Sequence, residues 1–171
     1  MVTIEPEAIS RATTPDELIT IHSADVWRFV QARISHREDA EDIVMETFAA
    51  AFRDFRKVAH ADNQRHWLLA VARRKVADRH RRKYRRAEEP ITNAEGYGAT
   101  QTPSADQLTT REAINRVAED QREVLILKYV NGLSTEEVGQ LIRRSVAATN
   151  SLLQRGRESL RAALATHGEN V

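Results

Sequence analysis

Residues 119–164 read EDQREVLILKYVNGLSTEEVGQLIRRSVAATNSLLQRGRESLRAAL. Val124, Leu127 and Val130, with Leu125 and Ile126 between them, make an apolar helix that stops at Asn131-Gly132. Ser134-Thr135-Glu136-Glu137 has the form of a capping box, with Ser at the cap and Glu three residues on. Val138, Leu141 and Ile142 give the helix it opens a short apolar face. A break follows at Arg143-Arg144, and Ser145 can cap a second helix with Thr149, Leu153, Gly156, Leu160 and Leu164 on one side. A short helix, a tight turn and a longer helix outline a helix-turn-helix, although this turn has no glycine. The outward set on the second helix is Ala147, Asn150, Ser151, Gln154 and Arg155. Asn and Gln can pair with adenine, Arg with guanine, and Ala can touch a thymine methyl. An ordinary amphipathic helix with a polar back would show the same pattern.

N-terminal to this block, the stretch 87–110 holds two of the four prolines, the acids Glu88, Glu89, Glu95 and Asp106, and no Lys or Arg. It reads as a flexible linker with an extended limit of about 80 Å. Residues 15–86 are again helical. Thr14-Pro15-Asp16-Glu17 starts a helix with Leu18, Ile21, Val26, Phe29 and Val30 on its apolar side. A second helix carries Ala40, Ile43, Val44, Thr47, Phe48, Ala51, Phe52 and Phe55 at spacings of three and four. A third starts near Trp67 and runs into RRKVADRHRRKYRR at 73–86, with His60 and His66 in the loop before it. No segment alternates as a strand would. The expected fold is all-α: two small helical domains joined by a flexible linker, the C-terminal one a helix-turn-helix. The divisions are a tail over 1–14, a domain over 15–86, the linker over 87–110 and a domain over 111–171.

Lys and Arg total 26 against 25 Asp and Glu, a net charge of +1 that conceals strong local segregation. Residues 73–86 contain nine Lys or Arg against one acid, Asp78. So many cations on one helix repel one another unless a polyanion is near. Trp67 and Tyr84 flank the run as groups on which bases could stack, though a Trp is as readily a core residue. Glu38, Asp39, Glu41, Asp42 and Glu46 form an acidic cluster on the second helix. Ordinary acids at a helix start and a protein-facing acidic patch both remain open for it.

The chain has no cysteine, which excludes a disulfide scaffold, a thiolate zinc site and a cysteine nucleophile. No apolar run approaches ~18 residues, so no membrane contact is expected. The N-terminal MVTIEPEAISR has neither the basic start nor the apolar stretch of a secretory signal, and a cytoplasmic location is expected. Glycine-loop, G-x-S-x-G and H-E-x-x-H patterns are absent, and the histidines have no ligand spacing. The chain is therefore read as a non-enzyme without catalytic residues, metal or cofactor.

Taken together, DAEDIVMETFAAAF at 39–52, WLLAVARRKVADRHRR at 67–82, EDQREVLILKYVNGLSTEEVGQLI at 119–142 and LLQRGRESLRAAL at 152–164 resemble a known family. They are similar to the small bacterial sigma factors of the extracytoplasmic-function group, promoter-specificity subunits of RNA polymerase in the sigma-70 family. The resemblance covers about 16–165. It implies that Asp39, Glu41, Asp42, Ile43 and Glu46 dock on the β′ clamp of core polymerase, and that the β flap is a further contact. It implies that the loop 56–66 and the basic helix hold the −10 element as single strand and adjoining duplex. The residues concerned are Arg56, Lys57, His60, Asn63, Arg65, Trp67, Arg73, Arg74, Lys75, Arg79, Arg81 and Arg82. It further implies that Arg143, Arg144, Ser145, Ala147, Asn150, Ser151, Gln154 and Arg155 meet the −35 element in the major groove. The linker resembles the segment that threads through polymerase. An anti-sigma partner is implied, and the HGENV terminus leads to the expectation that no extra domain follows. The family usually has Asn at Arg74, Pro at Ala118, Tyr and Ala at Thr135 and Gly139, and basic residues at Asn150 and Leu152. A free-standing helix-turn-helix regulator would account for the C-terminal block but not for the acidic helix or the linker.

Overall fold

A computed structural model describes residues 11–87 and 105–168. The helices are α1 (Pro15–Gln31), α2 (Arg37–Arg53), α3 (Phe55–Ala59), α4 (Gln64–Ala87), α5 (Ala105–Arg116), α6 (Glu119–Leu125), α7 (Thr135–Ile142) and α8 (Val146–Gly168). Ile126–Val130 continues α6 as a π-helical turn. Among the described residues there is no strand.

α1 starts at the cap expected at Thr14, and the structure makes it a capping box. The Thr14 hydroxyl accepts the Glu17 N–H at 3.3 Å, and the Glu17 carboxylate accepts the Thr14 N–H at 3.3 Å and the Thr13 N–H at 2.7 Å. These bonds hold the Glu17 carboxyl below its ordinary range, backbone donation from Thr13 first. In the N-terminal domain α1 packs on α2 and α4, and α2 packs on α4. Leu18, Val26, Phe29 and Val30 meet Ala40, Ile43, Phe48 and Ala51 of α2 and Leu68, Leu69, Ala72 and Val76 of α4, all buried. Each Leu or Phe so placed contributes about 1.5–3 kcal/mol relative to exposure. In the C-terminal domain α8 packs on α5, α6 and α7. There Val124, Leu127, Leu133, Val138, Leu141, Leu152 and Leu153 form the core.

Several boundaries differ from the sequence reading. α5 begins at Ala105, inside the stretch read as linker, so Asp106 is helical; Glu88, Glu89 and Glu95 lie outside the described residues. α4 starts three residues before Trp67 because Asn63 caps it, its Oδ1 accepting the His66 N–H at 2.9 Å, which puts His66 on the helix. The loop before it contains the short α3. Val130 is 42% exposed and Leu133 takes its place in the core, since the π-turn rotates the face and Gly132 at φ 69° turns the chain back. Leu164 is likewise at the surface.

Candidate nucleic-acid interface

The helix-turn-helix is built by α7 and α8. Ser134 accepts the Glu137 N–H at 3.1 Å while the Glu137 carboxylate accepts the Ser134 N–H at 2.7 Å, completing the capping box. The turn is made without glycine: Arg143 itself takes the left-handed conformation, φ 57° and ψ 48°. Ser145 then caps α8, its hydroxyl accepting the Ala148 N–H at 3.2 Å. The two helices approach closely at Gly139, where a Cβ would lie 2.9 Å from the Arg144 carbonyl and 3.1 Å from Thr149 Oγ1. Thr149 is buried and donates its hydroxyl to the Ser145 carbonyl at 2.9 Å. This fixes the rotation of α8 and leaves Ala147, Asn150, Ser151, Gln154 and Arg155 exposed together, with Arg143, Arg144 and Ser145 exposed at its start. Leu152 faces inward at 3% exposure, so its departure from a basic residue is a matter of packing.

In the N-terminal domain the basic helix α4 and the acidic helix α2 are neighbours, which the spacing of the two motifs did not reveal. Arg79 pairs with Asp39 at 2.5 Å and lies 3.8 Å from Asp42, and Lys75 donates to Glu46 at 2.9 Å; within α2, Arg37 donates to Glu41 at 2.7 Å. The Lys75 hydrogen bond, aided by the charges of Arg79 and Arg82, holds the Glu46 carboxyl below its ordinary range against a smaller effect of burial. Such partly exposed pairs contribute about 0.2–1 kcal/mol each. Ile43 does not join the acids at the surface. It is 2% exposed, because its place in the three–four repeat points it into the α1–α2–α4 core. The surface set is Asp39, Glu41, Asp42 and Glu46, with exposed Met45 on the same helix.

Arg56, Lys57 and His60 are exposed, and Trp67 is half-buried against the core. Arg74, Arg81 and Arg82 are exposed along α4, with Arg81 paired to Asp78. Asn63 and Arg65 line a hollow of about 220 Å3 with Arg11, His22, Ala61, Asp62 and Gln64. Gln64, in that lining, bonds both backbone groups of Ala12, at 2.9 Å and 2.7 Å. Arg11 donates to the Ala59 carbonyl at 2.9 Å. Arg11 and His22 escaped the sequence reading: one lies in the tail and the other in the middle of α1, far from the loop in sequence. Burial pushes the His22 imidazole down, partly opposed by Gln64 and Asp25, and its Nε2 has no hydrogen-bond partner.

Two of the candidate DNA contacts are turned toward the C-terminal domain. Arg73 donates to Glu123 at 2.8 Å and to the Leu141 carbonyl at 3.2 Å. Arg65 donates to the Asn131 carbonyl and contacts Asp25 at 2.7 Å. Among the described residues no group of His, Asp and Glu is arranged to hold a metal ion. No helix among them is long and apolar enough to cross a membrane.

Comparison with known proteins matches residues 18–86 to the family model of sigma-70 region 2 and residues 107–160 to that of sigma-70 region 4. The chain is 32% identical over 141 residues to the ECF RNA polymerase sigma factor SigC of Mycobacterium tuberculosis, covering 80% of this chain and 75% of the relative. It is 28% identical over 155 residues to SigM of Bacillus subtilis, covering 87% of this chain and 94% of the relative. It is 26% identical over 164 residues to SigE of Mycolicibacterium smegmatis, covering 91% of this chain and spanning only 63% of the relative. The fold is similar to the sigma factor RpoE of Bartonella quintana, solved in complex with the anti-sigma factor NepR, at a TM-score of 0.73 and 24% identity. That match covers 87% of this chain and 94% of the other. With region 2 on the acidic and basic helices, region 4 on the helix-turn-helix, and relatives matched across both, the chain belongs to the extracytoplasmic-function group of the sigma-70 family of RNA polymerase sigma factors.

Proposed function

We propose that the protein acts in the cytoplasm as a promoter-specificity subunit that binds core RNA polymerase, recognises two promoter elements and helps to open the duplex. The observation that carries this reading is the pairing, in one chain, of region 2 over residues 18–86 with region 4 over 107–160. A free-standing regulator would need only the second. Asp39, Glu41, Asp42 and Glu46 offer the β′ clamp an acidic face complementary to a basic partner. The β flap is the further polymerase contact. Arg56, Lys57, His60, Asn63, Trp67, Arg74, Lys75, Arg79, Arg81 and Arg82 serve the −10 element, joined by Arg65 and Arg73 once these leave their present partners.

The hollow beside Asn63 and Arg65 suits one base taken out of the stack. Extruding a base costs a few kcal/mol, which pocket contacts and phosphate pairing offset. Arg143, Arg144 and Ser145 position α8 on phosphates, while Ala147, Asn150, Ser151, Gln154 and Arg155 face the base edges of the −35 element. Phosphoryl transfer belongs to polymerase, and the protein is not itself an enzyme. An anti-sigma factor is its regulator, as NepR accompanies the Bartonella sigma factor.

The test mixes the purified protein with core polymerase and maps transcript starts on genomic DNA. Initiation at a defined set of sites absent with core enzyme alone is expected. Failure to form a complex with core polymerase would refute the reading.

A further inference from the structure

The match to sigma-70 region 2 begins at residue 18, yet the hollow before α4 takes a side chain from ahead of that segment. Among the described residues, three charged side chains line the hollow: Arg11, Asp62 and Arg65. Arg65 is paired with Asp25 at 2.7 Å. Arg11 is exposed but held in place. Its Nε donates to the Ala59 carbonyl at 2.9 Å, and its Nη2 donates to the same oxygen. Ala12 is 1% exposed, and the Gln64 side chain bonds both its backbone groups. Thr13 follows, its hydroxyl donating to the Glu17 carboxylate at 2.8 Å. Ala59 ends α3 and Gln64 begins α4, so residues 11 and 12 are tied to both ends of the loop between these helices. One edge of the Arg11 guanidinium is thereby anchored to protein, and the outer edge, with Nη1, remains to donate.

We propose that Arg11 is a −10 recognition residue and that, with Asp62, it selects guanine as the base held in the hollow. The inference rests on the reading of that hollow as the seat of one extruded base. A guanidinium anchored along one edge presents its outer N–H bonds as a rigid fork. The fork matches two adjacent acceptors, and O6 and N7 of guanine are its usual partners among the bases. A carboxylate accepts two N–H bonds, which guanine supplies from N1 and N2. Adenine and thymine have no pair of adjacent acceptors. Cytosine has one, O2 and N3, but only a single amino group for the carboxylate. Guanine alone gives the cation two acceptors and the anion two separate donors.

Fork-junction DNA from a promoter located by transcript-start mapping, with the non-template strand single across the −10 element, supplies the test. Holoenzyme made with the full chain binds a series in which each base of that stretch is removed in turn. At one of the sensitive positions guanine should bind at least about tenfold more tightly than any other base. Arg11→Ala should abolish that preference while core polymerase affinity stays the same. Asp62→Asn should reduce it. Arg11→Lys keeps the charge without the fork, so it should not restore the preference. Circular dichroism confirms that each variant is folded. If sensitive positions exist but Arg11→Ala leaves their base preferences unchanged, the Arg11 assignment is overturned and the hollow keeps its role. Loss of a preference for a base other than guanine overturns the selection argued here, and full recovery by Arg11→Lys overturns the fork. A series with no sensitive position overturns the hollow as a base site, and the role of Arg11 with it.

Discussion

Arg143 adopts the conformation that a glycine would take without strain. A side chain there costs about 1–2 kcal/mol. The sequence reading noted the missing glycine in the turn, and the structure shows the backbone bearing that cost. Arg143→Gly should therefore raise stability by about 1 kcal/mol, read as a higher urea midpoint, while weakening DNA binding through loss of a cation. Gly139 lies on the other side of the same turn. Gly139→Ala restores the residue usual in the family, yet sets a Cβ 2.9 Å from a carbonyl oxygen. A loss of about 1–3 kcal/mol in urea unfolding is expected, because the obstacle is backbone and not a flexible side chain. Ile43 shows the converse: the family resemblance groups it with the docking acids, and its place in the apolar repeat buries it.

At the level of elements, α8 was the most legible. Of its expected inward set, Thr149, Leu153 and Gly156 are buried and Leu160 is half-buried, as a 3.6-residue period requires, while Leu164 near its end is exposed. Arg155→Ala should lower discrimination at one position of the upstream element by about 1–3 kcal/mol, measured by binding of polymerase holoenzyme to point-substituted promoters. The acidic helix was legible as a surface but not as a neighbour of α4, since the Lys75–Glu46 and Arg79–Asp39 pairs join residues far apart in the chain. Asp42 has the longest of these contacts, 3.8 Å, and is largely exposed. Asp42→Arg should accordingly weaken polymerase binding and leave the thermal midpoint nearly unchanged, as a titration with core enzyme and a melt would show.

Across the whole molecule, the division into two helical units could be read from composition, because a cation-free, Pro-containing stretch cannot supply a core. Their contact could not be read, since nothing local marks Arg73 of α4 as the partner of Glu123 on α6. The histidines make the assembled fold sensitive to acid. Burial lowers the imidazole of His80, with Arg33, Arg122 and Lys83 adding repulsion; burial also lowers His22 and His66. Below about pH 6.5 the unfolded chain takes up protons before the folded one does. Stability therefore falls as pH drops through that value and stays level above it. Melting at pH 5.5 should come at lower temperature than at pH 7.5, with a smaller difference in His80→Gln.

The pairing of α2 with α4 also changes how many counterions DNA binding should release. Among the described residues of the basic run, Arg73, Lys75, Arg79 and Arg81 each face a carboxylate of this chain. A phosphate that captures one of these cations frees a carboxylate of this chain beside the DNA, and that charge retains a mobile cation that would otherwise be released. The slope of log affinity against log salt, about −0.7 per phosphate neutralised on a single strand, should thus fall well short of what a count of Lys and Arg on α4 suggests.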